Sequence, residues 1–246
     1  MERVVEICCG SYEDALVSAK GGAKRIELNS ALALGGLTPS LASLILTKKN
    51  TDLKVITMIR PRGAGFCYTD EEFEVMKADA RLMLEHGADG LAFGFLTEGV
   101  EVDIDKTREM VEIIKSYNKE AVFHRAFDCV KDPDKALETL IELKIDRVLT
   151  SGQAAIAPEG MEMIAHLQAK YGNQIQLLEG GGMNANNALE MVEKTGISQV
   201  HSSCKNWIKD PSTIAKGVNN SFGPESHQGE YDVVDEELVR RLVNSI

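Results

Sequence analysis

The chain has no apolar run of the roughly 18 residues that a membrane span takes. Its opening segment, Met1-Glu2-Arg3-Val4-Val5-Glu6, lacks the apolar stretch of a secretory leader. It has no basic surplus: 27 Lys and Arg face 38 Asp and Glu, a formal net charge of −11. Nucleic acid and anionic membrane both need a basic surface, so neither is an expected partner. A local basic pocket for a small anion stays possible. No CxxC or HxxxH spacing occurs, and Cys8 and Cys9 are adjacent, so a zinc-type run of ligands is missing. The five cysteines, an odd count, give no disulfide framework and read as free thiols of a reducing, cytoplasmic compartment.

What is present is regular. The 246 residues are 43% hydrophobic and 26% charged, as in an ordinary globular protein. Short apolar, β-branched runs centre on Glu6, Glu27, Met58, Phe93, Phe123, Leu149, Leu178 and Val200. They are spaced by roughly 20 to 35 residues, the size of a βαβ unit. Helical stripes lie between them, such as Tyr12, Ala15, Leu16 and Ala19, or Phe73, Met76, Ala80, Met83 and Leu84. Met110 to Tyr117 and Met161 to Tyr171 carry two more. Thr38-Pro39 and Asp132-Pro133 each read as a cap before a first-turn proline, and Thr69 with Glu72 as a capping box. Gly22, Gly87 and Gly196 each stand where a helix ends before a strand. The pattern predicts a (β/α)8 barrel, one α/β domain over 1–246. A doubly wound open sheet is the alternative. It usually carries a GxGxxG turn after the first strand, where this chain has Cys9-Gly10-Ser11. The stretch 216–231 reads as a flexible loop, followed by a C-terminal helix over Asp235 to Val243.

Such barrels build their sites at the C-terminal strand ends. The polar residues there include Glu6, Glu27, Arg60, His124, Asp128 and His201, the candidate acid/base set. Strand alternation puts Glu6 with Cys8, Glu27 with Asn29, and His201 with Ser203 on shared faces. Carboxylates within apolar strands are costly unless paired. Glu6, Glu27 and Arg60 are therefore expected to cluster at the mouth, as reacting groups or as an ion-pair plug that fills the barrel. Gly180 and Gly181, with Ser202, Ser203 and Arg62, are the candidate anion-binding set, and the alternative for the glycines is a tight turn. His124 acts as acid, base or ligand, or is held structurally by Asp128. All five cysteines are expected at the same barrel end, with Met58 nearby. Soft thiolates and thioethers select Cu(I), although a single cysteine also serves as a small buried apolar residue.

Longer motifs carry a resemblance. Gly21-Gly22-Ala23-Lys24-Arg25-Ile26-Glu27-Leu28, Gly35-Gly36-Leu37-Thr38-Pro39-Ser40 and Met58-Ile59-Arg60-Pro61-Arg62-Gly63 are three of them. Phe123-His124-Arg125-Ala126-Phe127-Asp128, Arg147-Val148-Leu149-Thr150-Ser151-Gly152 and Gly180-Gly181-Gly182 are three more. Over about residues 2 to 205 the chain resembles the CutC family. The resemblance implies a cytoplasmic (β/α)8 barrel that takes part in copper homeostasis, binds Cu(I) and forms homo-oligomers. It makes Cys8 the candidate metal ligand. Some members have a second cysteine at the end of strand 2. Here that position is Asn29, so Cys9, Cys67 or Met58 would supply the second soft donor. The strand-end set also suits a barrel enzyme that acts on a small phosphate- or carboxylate-bearing substrate. The sequence leaves enzyme and ion carrier both open.

Overall fold

Each apolar run forms a strand, because its alternate residues have two apolar environments to enter. In β1 (Val4–Cys9), Val5, Ile7 and Cys9 face the helices, while Glu6 and Cys8 face inward. The computed structural model describes residues 3–246; Met1 and Glu2, in the segment read for a leader, lie outside the described residues. After β1 come α1 (Tyr12–Lys20), β2 (Arg25–Leu28), α2 (Leu41–Asn50), β3 (Lys54–Met58), α3 (Asp70–Glu85) and β4 (Gly90–Phe93). Then follow α4 (Ile104–Ser116), β5 (Glu120–Phe123), α5 (Pro133–Glu142), β6 (Arg147–Thr150), α6 (Met161–Tyr171), β7 (Gln176–Gly180), α7 (Ala188–Thr195) and β8 (Gln199–Ser202). The eight strands pair in parallel in chain order, and β8 closes on β1. The architecture is the (β/α)8 barrel. All eight expected strand centres fall within these strands.

Two apolar clusters show the closure. A large one fills the layer between strands and helices, and a small one of Ile56, Met58, Ala92 and Val122 lies inside the ring. Register then sets the site. Glu6 stands opposite Arg25 on one side and His201 on the other, and Cys8 stands opposite Glu27.

Helix signals largely hold. Asp132 caps α5 with Pro133 in its first turn, and Thr69 with Glu72 forms the capping box of α3. Gly22, Gly87 and Gly196 all take positive φ. The Thr38-Pro39 signal is corrected. Ser40 caps α2, accepting the Ser43 N–H. Thr38 is drawn instead to the end of β3, where its hydroxyl accepts the Arg60 N–H at 2.9 Å.

The stretch 216–231 contains short paired strands. It follows β9 (Lys205–Lys209) and β10 (Ile214–Ala215), and it holds β11 (Val218–Asn219) and the start of β12 (Glu230–Val234). Lys216 and Gly217, with φ of 48° and 84°, make the left-handed turn that joins β10 to β11. β12 pairs antiparallel with β9, and α8 (Glu236–Val243) follows with Asp235 as its cap. Asp14, buried in α1, fastens this appendage. Its carboxylate accepts the Val234 N–H at 2.8 Å and the Gly10 N–H at 2.9 Å.

Removing that carboxylate strands two backbone donors. Asp14→Ala is expected to cost about 2–3 kcal/mol in urea unfolding, and limited proteolysis is expected to cut first within 205–234. Unchanged stability with unchanged cleavage would show that the appendage is held elsewhere.

Candidate functional site

The inward positions of β8, β1 and β2 bring His201, Glu6, Cys8 and Glu27 together. The centre of this group is Glu6. Arg25 Nε lies 2.6 Å from its Oε2, and Arg147, only 1% exposed, lies 3.6 Å from the same atom. Burial by itself would raise the Glu6 pKa. Arg25, the His201 hydrogen bond and Arg147 outweigh burial and hold the carboxyl well below the usual carboxylate range. Arg147 also meets Glu120 at 3.2 Å, and Glu120 pairs with Lys54. Arg25 donates to Gln199 at 2.7 Å, and Gln199 donates to Gln176 at 2.8 Å. A paired polar column thus rises from the N-terminal ends of the strands to Glu6.

Above Glu6 stands His201. A charged carboxylate can only accept, so His201 Nδ1–H donates to Glu6 Oε1, at 2.9 Å. That bond turns Nε2 toward Glu27, whose Oε2 is 3.9 Å away. Burial disfavours the imidazolium, but the Glu6 bond and the charges of Glu27 and Glu6 raise the His201 pKa. Gly180, the Cα partner of His201, leaves room for this arrangement. A Cβ there would come within 2.7 Å of Leu149 and 3.1 Å of the His201 Cβ. Glu27 also accepts from Asn29 Nδ2 at 3.0 Å, and Cys8 Sγ lies 3.9 Å from the same Oε2. Burial, then the nearby Glu27 charge, pushes the Cys8 thiol well up. Burial raises Glu27 as well. Cys8 Sγ, a Glu27 oxygen and a His201 nitrogen all lie within 4.8 Å of one another, so one cation can bridge them.

The other expected residues are placed elsewhere. Arg60 does not join Glu6 and Glu27. Its buried guanidinium donates to the carbonyls of Gly35 at 2.9 Å and Ala64 at 2.6 Å, clamping two loops. No ion pair joins it to a described carboxylate. His124 lies near it, with Phe66 packed 5.0 Å from each. His124 Nδ1 accepts the Ala126 N–H, so in the neutral ring Nε2 carries the hydrogen, buried and without a partner. Burial, then the Arg60 charge, lowers the His124 pKa to about 3. Asp128 does not hold His124. It accepts from Thr150 at 2.6 Å, Arg125 at 2.8 Å and the Ser151 N–H at 3.0 Å, and so ties the loops after β5 and β6.

Of the anion set, the members at the ends of β7 and β8 adjoin one another and Arg62 stands apart. Arg62 pairs with Glu72 at the start of α3, away from the glycine turn. Ser202 spends its hydroxyl on the Met183 carbonyl at 2.6 Å. Ser203 is half-buried beside Met183 and Lys205. Gly181 takes a φ of 100°, and its nearest guanidinium is Arg125. Of the cysteines only Cys8 reaches the centre. Cys9 faces the helices, 3.3 Å from Ser18, because adjacent strand residues point oppositely. Cys67 and Cys129 are exposed, and Cys204 is buried against Ser202. Met58 packs with Ile56, Ala92 and Val122.

The sequence profile of the CutC family matches residues 3–206. This chain belongs to the CutC family. A CutC family protein of Treponema denticola is 48% identical over 211 residues, 86% of this chain and 85% of that relative. The human copper homeostasis protein cutC homolog is 40% identical over 241 residues, covering 97% and 87%. A crystal structure of a putative copper homeostasis protein CutC from Streptococcus agalactiae superposes with a TM-score of 0.77 at 29% identity, over 82% of this chain and 98% of that one. No described helix of this CutC-family chain is long and apolar enough to cross a membrane.

Sequence reasoning missed Arg25 and Arg147, which sit low in their strands. The alternation that turns Glu27 inward turns Arg25 inward too, and that signal was available. Glu179, near the end of β7, points away from the barrel interior. It lies between β7 and α7, accepting from Thr195 at 3.1 Å, with its Oε1 unpartnered. Burial pushes it up to about 8 against that hydrogen bond. The folded state therefore keeps a proton that the unfolded chain loses above its ordinary value of 4.5. Stability conferred by this group is full below that value and is lost as pH rises toward about 8, at up to ~1.4 kcal/mol per pH unit. Urea unfolding across this range is expected to show the decline in the wild type and a flatter profile in Glu179→Gln. Identical profiles would contradict a protonated Glu179.

Proposed function

We propose that this chain is a cytoplasmic copper-homeostasis protein of the CutC type, and that the ion it carries is Cu(I), bound inside the barrel mouth. The observation that carries the reading is the Cys8–Glu27–His201 trio, with donor atoms within 4.8 Å of one another. Two of its donors suit Cu(I): a soft thiolate and an imidazole nitrogen. The Glu6 bond leaves His201 Nε2 as the donor on the Cys8 side. Cys9, Cys67 and Met58 lie in other environments, so His201 takes the place of the second soft donor. The human relative's name supports the copper assignment. Free thiols fit a reducing compartment.

A second reading, a barrel enzyme acting on a small anion, draws on the far wall. There the buried Arg60 charge and the unpartnered Nε2–H of His124 leave an oxyanion two donors to meet. In that case His201 and Glu27 would move the proton.

Anaerobic Cu(I) titration against a competing chelator separates the two. The copper reading expects near one equivalent in the wild type, at least about tenfold weaker binding in Cys8→Ser and His201→Gln, and no change in His124→Gln. Equal affinity in all four proteins would remove the trio. Binding of inorganic phosphate or acetate that His124→Gln alone abolishes would instead support the enzyme.

A further inference from the structure

We infer that the barrel-mouth centre also takes Zn(II), engaging Cys8, Glu27 and His201 together, whereas Cu(I) engages only Cys8 and His201. The inference rests on the ion-binding reading above and adds what the third donor selects.

The donor chemistry comes first. Zinc accepts thiolate, imidazole and carboxylate alike. Cu(I) favours soft donors, and a carboxylate is a hard one. Charge balance points the same way. Zn(II) with one thiolate and one carboxylate is neutral, and so is Cu(I) with one thiolate alone. Adding the carboxylate to Cu(I) leaves an unpaired negative charge among groups no more than about a tenth exposed, which burial penalises.

Geometry supports three-donor binding. Tetrahedral zinc with bonds of about 2.0–2.3 Å spaces its donors by about 3.3–3.6 Å. Glu27 Oε2 is 3.9 Å from both Cys8 Sγ and His201 Nε2, and all three donors lie within 4.8 Å of one another, so shifts of under about an ångström close them on one ion. The supporting shell is in place. Ligating histidines characteristically donate their other N–H to a carboxylate, and ligating carboxylates are themselves hydrogen-bonded. Glu6 performs the first task for His201 at 2.9 Å, and Asn29 the second for Glu27 at 3.0 Å. With three protein donors the fourth position is free, as in exchangeable or catalytic zinc centres rather than closed structural ones. Cys8 is the most exposed of the three.

Glu27→Gln tests this directly. Glutamine keeps an acceptor for Asn29 and preserves the volume. Zn(II) alone and Cu(I) alone are titrated separately against chelators, with circular dichroism confirming the fold. The expected result is a Zn(II) affinity lower by at least about tenfold in Glu27→Gln, with Cu(I) affinity within about threefold of wild type. Cys8→Ser is expected to weaken both. Equal weakening for both ions, or no zinc uptake by the wild type, would overturn the inference. Zinc uptake without Cu(I) uptake would overturn the copper reading and leave the zinc inference standing. Should Glu27→Gln fail to fold, Co(II) substitution in the wild type decides. A tetrahedral spectrum with a thiolate charge-transfer band supports three-donor binding, and an octahedral spectrum without that band contradicts it.

Discussion

The carboxylate of Glu6 is the charge around which the barrel interior is arranged. It sits 1% exposed in the ring, between Arg25 and Arg147, with the His201 imidazole above. A lone buried carboxylate costs several kcal/mol, and the attraction of paired cations offsets that cost only when the geometry is good. Here three basic side chains from three other strands converge on it. Each comes from the inward parity of its strand, so the closed ring and its register are conditions for the pair to exist at all. An open sheet would leave β8 and β1 as separate edges, and His201 would not stand beside Glu6.

From this anchor the site follows upward. Fixing one ring nitrogen of His201 decides which nitrogen remains for a ligand. Gly180 gives the ring its space. Asn29 holds Glu27 beside it, and Cys8 lies one inward step above Glu6 on the same strand. Burial and the Glu27 charge keep the Cys8 thiol protonated, and a bound cation offsets the repulsion that the thiolate would meet there. The far wall is different in sign. Arg60 supplies the positive charge there and the neutral His124 ring a hydrogen-bond donor, with Phe66 packed on both.

The fold was legible because its signals are local and repeat. Strand runs, capping residues and glycine stops recur, and only the β9–β12 appendage lacked such redundancy. There β9 pairs with an antiparallel partner 21 to 29 residues away rather than through a pattern within either strand. The site was legible in part. Strand ends and alternation place Glu6, Glu27, Cys8 and His201 facing inward, and the structure brings these four side chains together. Arg60, His124 and Asp128 were grouped with them because sequence gives a residue's height in a strand but not the direction of a long side chain. Arg60 turns away to unsatisfied loop carbonyls, which no pattern in β3 announces. The missing zinc-type spacing is instructive too. Such spacing describes ligands close together in the chain, whereas this trio comes from three strands and is brought together by closure of the ring.

The most direct test of the central claim is the protonation of the His201 ring, read by 15N NMR of histidine-labelled protein before and after one equivalent of Zn(II) or Cu(I). If Glu6 governs the site, Nδ1 keeps its hydrogen-bonded proton throughout, and Nε2 alone takes up the signature of a metal-bound nitrogen. Binding through Nδ1, or a His201 spectrum that either ion leaves unchanged, would contradict it.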